Sequence, residues 1–242
     1  MVETGAVRFG ATLIPFTTIR SRRRRKTIEI TLDPVEGVLV SAPEGVPAQE
    51  VTNVVRRRAA WIVRKSTDPV LRPQPKQFVS GESLPYLGRQ VQMLVEPGQA
   101  RRTNVRFDHW TFRIAVPDHL AGDARRQAAL AAIIDWYRRR AVERLASVAR
   151  SWSRRLGVAP ARVLTRDQRQ RWGSCAPDGT IRFNWRVVMM QPALIDYVVL
   201  HEVLHLKIRR HSREYWAEVA ALMPDFKTRR ARLREFGTTL AI

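Results

Sequence analysis

The chain has 242 residues, 45% hydrophobic and 27% charged, enough for one large or two small soluble domains with a buried core. Lys and Arg number 43 against 22 Asp and Glu, and the resulting net charge of +21 favours polyanionic partners such as nucleic acid or nucleotides. A single cysteine, Cys175, excludes an intrachain disulfide framework, and no run approaches the roughly 20 apolar residues of a membrane helix. Glu3 comes early and the basic cluster follows the first apolar residues, the reverse of a secretory leader, so the expected compartment is the cytoplasm.

In chain order, residues 6–95 read as strands and turns with one helix. The β-branched runs 12–19 and 27–32 predict strands, and Val38–Val40 predicts another after the turns Asp33-Pro34 and Glu36-Gly37. The basic cluster Arg22–Lys26 then falls between two strands and reads as a solvated hairpin tip. Ala48–Lys65 has helical periodicity through Val51, Val54, Val55, Trp61 and Ile62. Residues 66–77, with three prolines, suit a linker or loop. Phe78–Val95 resembles a hairpin bent at Gly81, Pro85 and Gly88, and short strands are expected at 103–107 and 110–116. No internal repeat is visible. Asp123 is placed to cap a long helix ending near Leu156, where Gly157 and Pro160 stop it. Trp136 and Trp152 on that helix read as packing residues.

The chemistry concentrates further on. Residues 192–206, PALIDYVVLHEVLHL, lack internal Gly or Pro, and Leu194, Val198, His201 and His205 share one helical face. Two histidines one turn apart can bind one metal ion, and Glu202 beside them can reach a water in the ion's open position. Zinc lowers the pKa of such a water to about 7, and a neighbouring carboxylate then acts as general base. His211 falls ten residues after His201, where a third ligand can sit once the helix has ended. Upstream, residues 162–190 predict a β-hairpin turning at Pro177-Asp178-Gly179, whose strand beside the helix can bind an extended substrate by main-chain pairing.

At this hairpin and helix the sequence resembles the YgjP-like metallopeptidase family of predicted metal-dependent hydrolases. The resemblance is carried by Arg171-Trp172-Gly173-Ser174-Cys175, Gly179-Thr180-Ile181, Asn184-Trp185-Arg186, Ile195–Val199, His201–Leu206, His211-Ser212 and Tyr215-Trp216. Weaker echoes at Ser21–Arg23, Ala42-Pro43, Trp61-Ile62 and Leu87-Gly88 extend it over nearly the whole chain. It implies a zincin-type catalytic domain with His201, His205 and His211 as zinc ligands and Glu202 as base. The three-histidine spacing is also similar to the metzincin pattern, which usually has glycine where this chain has Ile208; Glu214 and Glu218 are the substitute ligands, and Ser212 is placed to cap the next helix. Trp172, Gly173 and Trp185 read as packing; Arg171, Ser174 and Asn184 are the candidates for orienting substrate or steadying an oxyanion. Cys175 reads as a small buried hydrophobe.

The expected fold is therefore α+β: a β-rich N-terminal region, residues 1–119, followed by a zinc metallopeptidase-like domain, residues 120–242, with the H-E-x-x-H helix at its centre. The expected activity is hydrolysis of peptide bonds in a peptide or protein substrate. Two alternatives use the basic surface: hydrolysis of nucleoside phosphates, and a DNA-associated protease resembling the SprT-like group. The absence of a G-x-x-x-x-G-K loop speaks against the first.

Overall fold

A computed structural model describes residues 2–22, 24–33, 37–67, 76–99, 101–168 and 171–236. Backbone contacts divide the chain after Pro75 into two compact units, the second being Lys76–Gly237. The linker expected at 66–77 lies mostly outside the described residues, as do most of the turn residues expected between 33 and 37.

In the first unit, strands β1 (Val2–Phe9), β2 (Thr12–Ser21), β3 (Glu29–Asp33) and β4 (Gly37–Pro43) form a sheet of order β1-β2-β4-β3. Only the β2–β4 pair is parallel. Alternation puts Ile14 and Phe16 of β2 and Val38, Val40 and Ala42 of β4 on one face. Helices α1 (Ala48–Arg57) and α2 (Ala59–Thr67) cover it with Val51, Val55, Ala59 and Ile62. The single helix expected there is broken at Arg58, which leaves helical geometry at φ −98° and ψ 2° while Ala59 and Ile62 stay buried. The basic cluster is not a hairpin tip. Strands β2 and β3 flank β4 on opposite sides, so the cluster lies in a connection crossing that strand, with Arg22 on Glu44 and Arg24 on Glu29.

The second unit opens with β5 (Ser83–Tyr86), β6 (Arg89–Gly98), β7 (Asn104–Asp108) and β8 (Thr111–Pro117), ordered β5-β6-β8-β7, again with only the middle pair parallel. Here the structure departs from the reading without repeats. Strand β6 has ten residues like β2, β8 seven like β4, and β7 five like β3. The registers coincide: Ser21 faces Pro43 as Gly98 faces Pro117, and Ile30 faces Val40 as Val105 faces Ile114. After each proline a turn follows, Val46 N–H to Pro43 O and Leu120 N–H to Pro117 O, and a helix begins five residues on. The ββββα module occurs twice.

The second module's helix is α3 (Gly122–Leu156), 35 residues long and closed by Gly157 in the left-handed conformation. Asp123 does not cap it; Ala121 holds that position, and Asp123 sits in the first turn, paired with Arg126. Because α3 packs on β7 and β8, the expected boundary at 119/120 falls inside this unit. Its anchor is aromatic: Trp136 meets Phe112 edge-on at 4.8 Å, and the Tyr137 hydroxyl donates to Pro85 O at 2.6 Å.

The remaining elements carry the site. Strands β9 (Arg162–Arg166), β10 (Gly173–Cys175) and β11 (Thr180–Asn184) form a sheet of order β10-β11-β9, antiparallel at β10–β11 and parallel at β9–β11. A 3-10 turn over Trp185–Met189 intervenes before α4 (Pro192–Leu204), followed by α5 (Arg213–Leu222) and α6 (Phe226–Phe236). Strands foremost and helices later make this an α+β fold. The β5–β6 turn clamps the approach to α4, with Leu87 and Gly88 N–H donating to Val188 and Met189 carbonyls at 3.0 Å.

Gly88 has φ +79°, and a Cβ there would lie 2.3 Å from Gln191 Cγ and 2.8 Å from its Cα. Gly88→Ala therefore combines a left-handed penalty with overpacking and should cost about 2–4 kcal/mol. Gly10→Ala, at φ +58° in open space, should cost only about 1–2 kcal/mol. Thermal denaturation of the two variants separates the terms; equal losses would show that the contact with Gln191 carries no weight.

Candidate metal centre and its carboxylate

Helix α4 is apolar on all sides. Leu194, Ile195, Val198, Val199, Leu200, Val203 and Leu204 are all buried, as befits a helix inside a core rather than on it. Pro192 at its first turn costs no hydrogen bond. Its polar residues are fixed from neighbouring elements: Trp152 Nε1 donates to Asp196 at 3.0 Å, and Arg229 donates to Ala193 O at 3.0 Å.

The helix stops one residue before the second histidine. His205 is the C-cap, and Ile208 N–H closes the turn on Leu204 O at 2.9 Å. No residue from 205 to 212 has positive φ, so the chain reverses without the glycine usual at position 208 of the similar pattern. Ser212 caps α5 by accepting from Tyr215 N–H at 3.2 Å, which holds His211 immediately before that helix.

The three imidazoles converge. His211 Nε2 lies 3.0 Å from His201 Nε2 and 3.1 Å from His205 Nε2. Tetrahedral coordination at metal–nitrogen distances of about 2.0–2.1 Å would set such atoms about 3.3 Å apart. His205 Nδ1–H donates to Ile208 O at 3.1 Å, which leaves its Nε2 with a free lone pair. Burial, reinforced by the other two histidines, pulls His201 down to about 3, so it too is neutral. Burial also lowers His205, against the opposing Ile208 hydrogen bond. Three imidazole nitrogens facing one point are a donor set for a cation. Among the described residues these are the only His, Cys, Asp or Glu side chains so grouped. Glu214 and Glu218 are outside the group, and Glu218 pairs with Lys207 at 3.5 Å.

Aromatic residues of α5 steady the three histidines. Tyr215 stacks on His205 at 4.7 Å and donates its hydroxyl to His201 O at 2.8 Å. Trp216 stacks on His211 at 5.5 Å, and Phe226 and the Arg230 guanidinium stack on Trp216 in turn. Tyr215-Trp216 entered the resemblance without a role, and only the fold brings the pair onto the histidines.

Glu202, next to His201 on α4, is 7% exposed. Burial pushes its carboxyl up to about 7, with the Arg171 charge opposing. Gly173 of β10 explains how it fits: a Cβ there would lie 2.6 Å from Glu202 Cγ and 2.8 Å from Oε1. Gly173 thus admits a side chain, a more specific task than packing. Cys175, two residues along on the same face of β10, is half-buried; burial and Glu202 raise its thiol, which keeps it protonated. Ser174 points to the other face. Asn184 is buried and occupied within its loop, donating to Gln168 O at 2.6 Å and Arg171 O at 3.4 Å and accepting from Arg186 N–H at 3.0 Å. Arg171 is exposed and close enough to act on Glu202.

A family model described as YgjP-like, metallopeptidase domain, matches residues 26–236. No curated protein and no solved structure matches the chain.

A carboxyl raised from 4.5 to about 7 binds its proton more tightly in the folded state. Its contribution to stability is complete below the unfolded value and is lost as pH rises through 7, a cost of roughly 3 kcal/mol above it. Metal-free Glu202→Gln should therefore match the parent near pH 4.5 and exceed it in urea midpoint at pH 8. Parallel curves at both pH values would show the carboxyl to be hydrated.

Proposed function

The chain belongs to the YgjP-like metallopeptidase family, and on that premise we propose that it is a zinc-dependent peptidase with Glu202 as its general base. The observation that carries the proposal is the meeting of the three Nε2 atoms beside Glu202, the buried carboxylate that follows His201 on α4. Three imidazoles suit zinc and would leave a fourth position open. When bound there, the ion supplies Lewis acidity, lowering the pKa of a water and polarising the scissile carbonyl.

The chain's own residues supply the rest. Glu202, whose burial makes it a stronger base than an exposed carboxylate, accepts the proton of the attacking water and passes it to the leaving amine. Gly173 keeps its carboxyl in place by having no side chain. The exposed Arg171 steadies negative charge on the carbonyl oxygen.

Strand β10 favours a peptide as the substrate. Asn184 N–H donates to Trp172 O and Ala176 N–H to Thr180 O, so residues 172, 174 and 176 turn their backbone groups toward β11. The N–H and C=O of Gly173 and Cys175 then face the free edge of the sheet. An extended peptide pairing with that edge lies alongside the residue that touches Glu202. Ser174 takes part by pairing β10 to β11, and Asn184 by holding the Gln168 and Arg171 carbonyls. No helix is long and apolar enough to cross a membrane among the described residues.

Elemental analysis with peptide hydrolysis tests the assignment. One zinc per chain should persist in Glu202→Gln, with kcat reduced about 10²–10⁴-fold, and be lost in His205→Ala. Gly173→Ala should keep the zinc and lose activity. Full peptidase activity in Glu202→Gln, or protein that takes up no metal at neutral pH, would overturn the proposal.

A further inference from the structure

The duplicated module supplies an internal control for what its fold requires. On the outward face of the first sheet, Thr31 lies opposite Leu39 across β3 and β4. The equivalent pair in the second sheet, across β7 and β8, is Arg106 opposite Arg113. Like charges directly opposed on adjacent strands are destabilising, and the first copy shows the fold does not need them.

The two arginines line a cavity of about 640 Å³, together with Arg139 and Arg140 of α3, the rings of Phe107 and Trp136, and Asp108 and Glu143. Val105, Arg106, Phe107 and Asp108 are consecutive on β7, and their side chains alternate between the two faces of the sheet. All four can border one cavity only if it runs along the free edge of β7, an end strand of its sheet. That edge offers unpaired backbone groups over an apolar floor.

The arginines are available. Arg139 and Arg140 pair with Asp135 and Glu143 on their own helix, and Arg113 reaches Glu96 only at 4.0 Å. These pairs are solvent-exposed and worth little, so incoming carboxylates exchange with them readily. Arg106 makes no ion pair with a described residue. The turn after β7 holds two non-glycine residues at positive φ, His109 at 44° and Trp110 at 57°. It leaves Trp110 partly exposed beside Phe107, with Arg89 stacked on it at 4.6 Å, an apolar anchor at the end of the groove.

We propose that this groove binds an acidic, extended polypeptide segment that pairs with the edge of β7. Carboxylates on one face of the segment meet Arg106 and Arg113, and residues on the other face meet Phe107, Trp136, Arg139 and Arg140. The proposal gives part of the +21 charge a task, recruitment of acidic protein substrates. That task rests on the peptidase reading, but the binding does not.

The test uses full-length Glu202→Gln protein, so binding is read without cleavage and the failure of either proposal is seen separately. A dye-labelled decapeptide of alternating Glu and Val is followed by fluorescence anisotropy. Arg106→Glu with Arg113→Thr should weaken binding at least tenfold, and the milder Arg106→Gln with Arg113→Gln at least threefold. The charge-matched pair Arg57→Glu with Arg25→Thr should change it less than twofold. Amide exchange over residues 104–108 should slow when peptide is bound. Equal weakening by both charge-reversed pairs, no protection of β7, no binding by the parent protein, or displacement of the peptide by a lower concentration of oligothymidylate would each overturn the proposal. The last outcome would assign the groove to single-stranded nucleic acid.

Discussion

His211 Nε2 is held 3.0 Å from His201 Nε2 and 3.1 Å from His205 Nε2, and much of the second unit serves that arrangement. Polar ring atoms gathered this closely away from water are costly, and a cation between them would make the arrangement favourable. The cost is borne by packing. Helix α4 contributes His201 and Glu202 from an interior so apolar that it has almost no freedom to turn. The Ser212 cap and the Trp216 stack contribute His211 from a different element. Such a site is preorganised, so ion binding adds directly to the stability of the folded state.

Helix spacing brings His201 and His205 to one face, but the setting of Glu202, the proposed base, depends on a strand distant in sequence. Glu202 is buried because Gly173 yields it room, and Gly173 is placed by the pairing of β10 with β11. The direction of α4 is set upstream, where Leu87 and Gly88 hold the 3-10 turn that precedes it. Side chains far apart in sequence thus act on one carboxylate through rigid backbone contacts. A one-residue register slip at β10 would present Ser174 to Glu202 in place of Gly173.

What the sequence revealed follows from how local each cause is. The H-E-x-x-H helix, the glycine that ends α3 and the Ser212 cap are written within a few residues and could be read directly. Strand neighbours could not. The Arg22–Lys26 cluster looked like a hairpin tip because β2 and β3 are consecutive, yet β4 lies between them. The duplication was hidden because the two copies share register and burial while differing in residues: Leu13, Ile19 and Leu39 stand where Gln90, Glu96 and Arg113 stand. The expected boundary at 119/120 met the same difficulty: the turn after Pro117 is the second occurrence of a turn internal to the module.

The two copies also show how one module serves two ends. In the first, the helix that follows the sheet breaks at Arg58 and finishes at Thr67, after covering its own core. In the second, the corresponding helix runs unbroken for 35 residues, and its far end carries Trp152 to Asp196 on α4. The extension turns a sheet cover into a strut for the helix that carries His201 and Glu202. The basic residues divide in the same manner. Arg229 and Arg186 are spent on structure, holding Ala193 and Asp196 in one case and Asp167 in the other. Arg106 and Arg113 oppose each other across two strands, where the fold gains nothing from them. Net charge alone cannot separate these uses. The duplicated sheet can, because it shows the same positions filled by Thr31 and Leu39 with the same register and no charge.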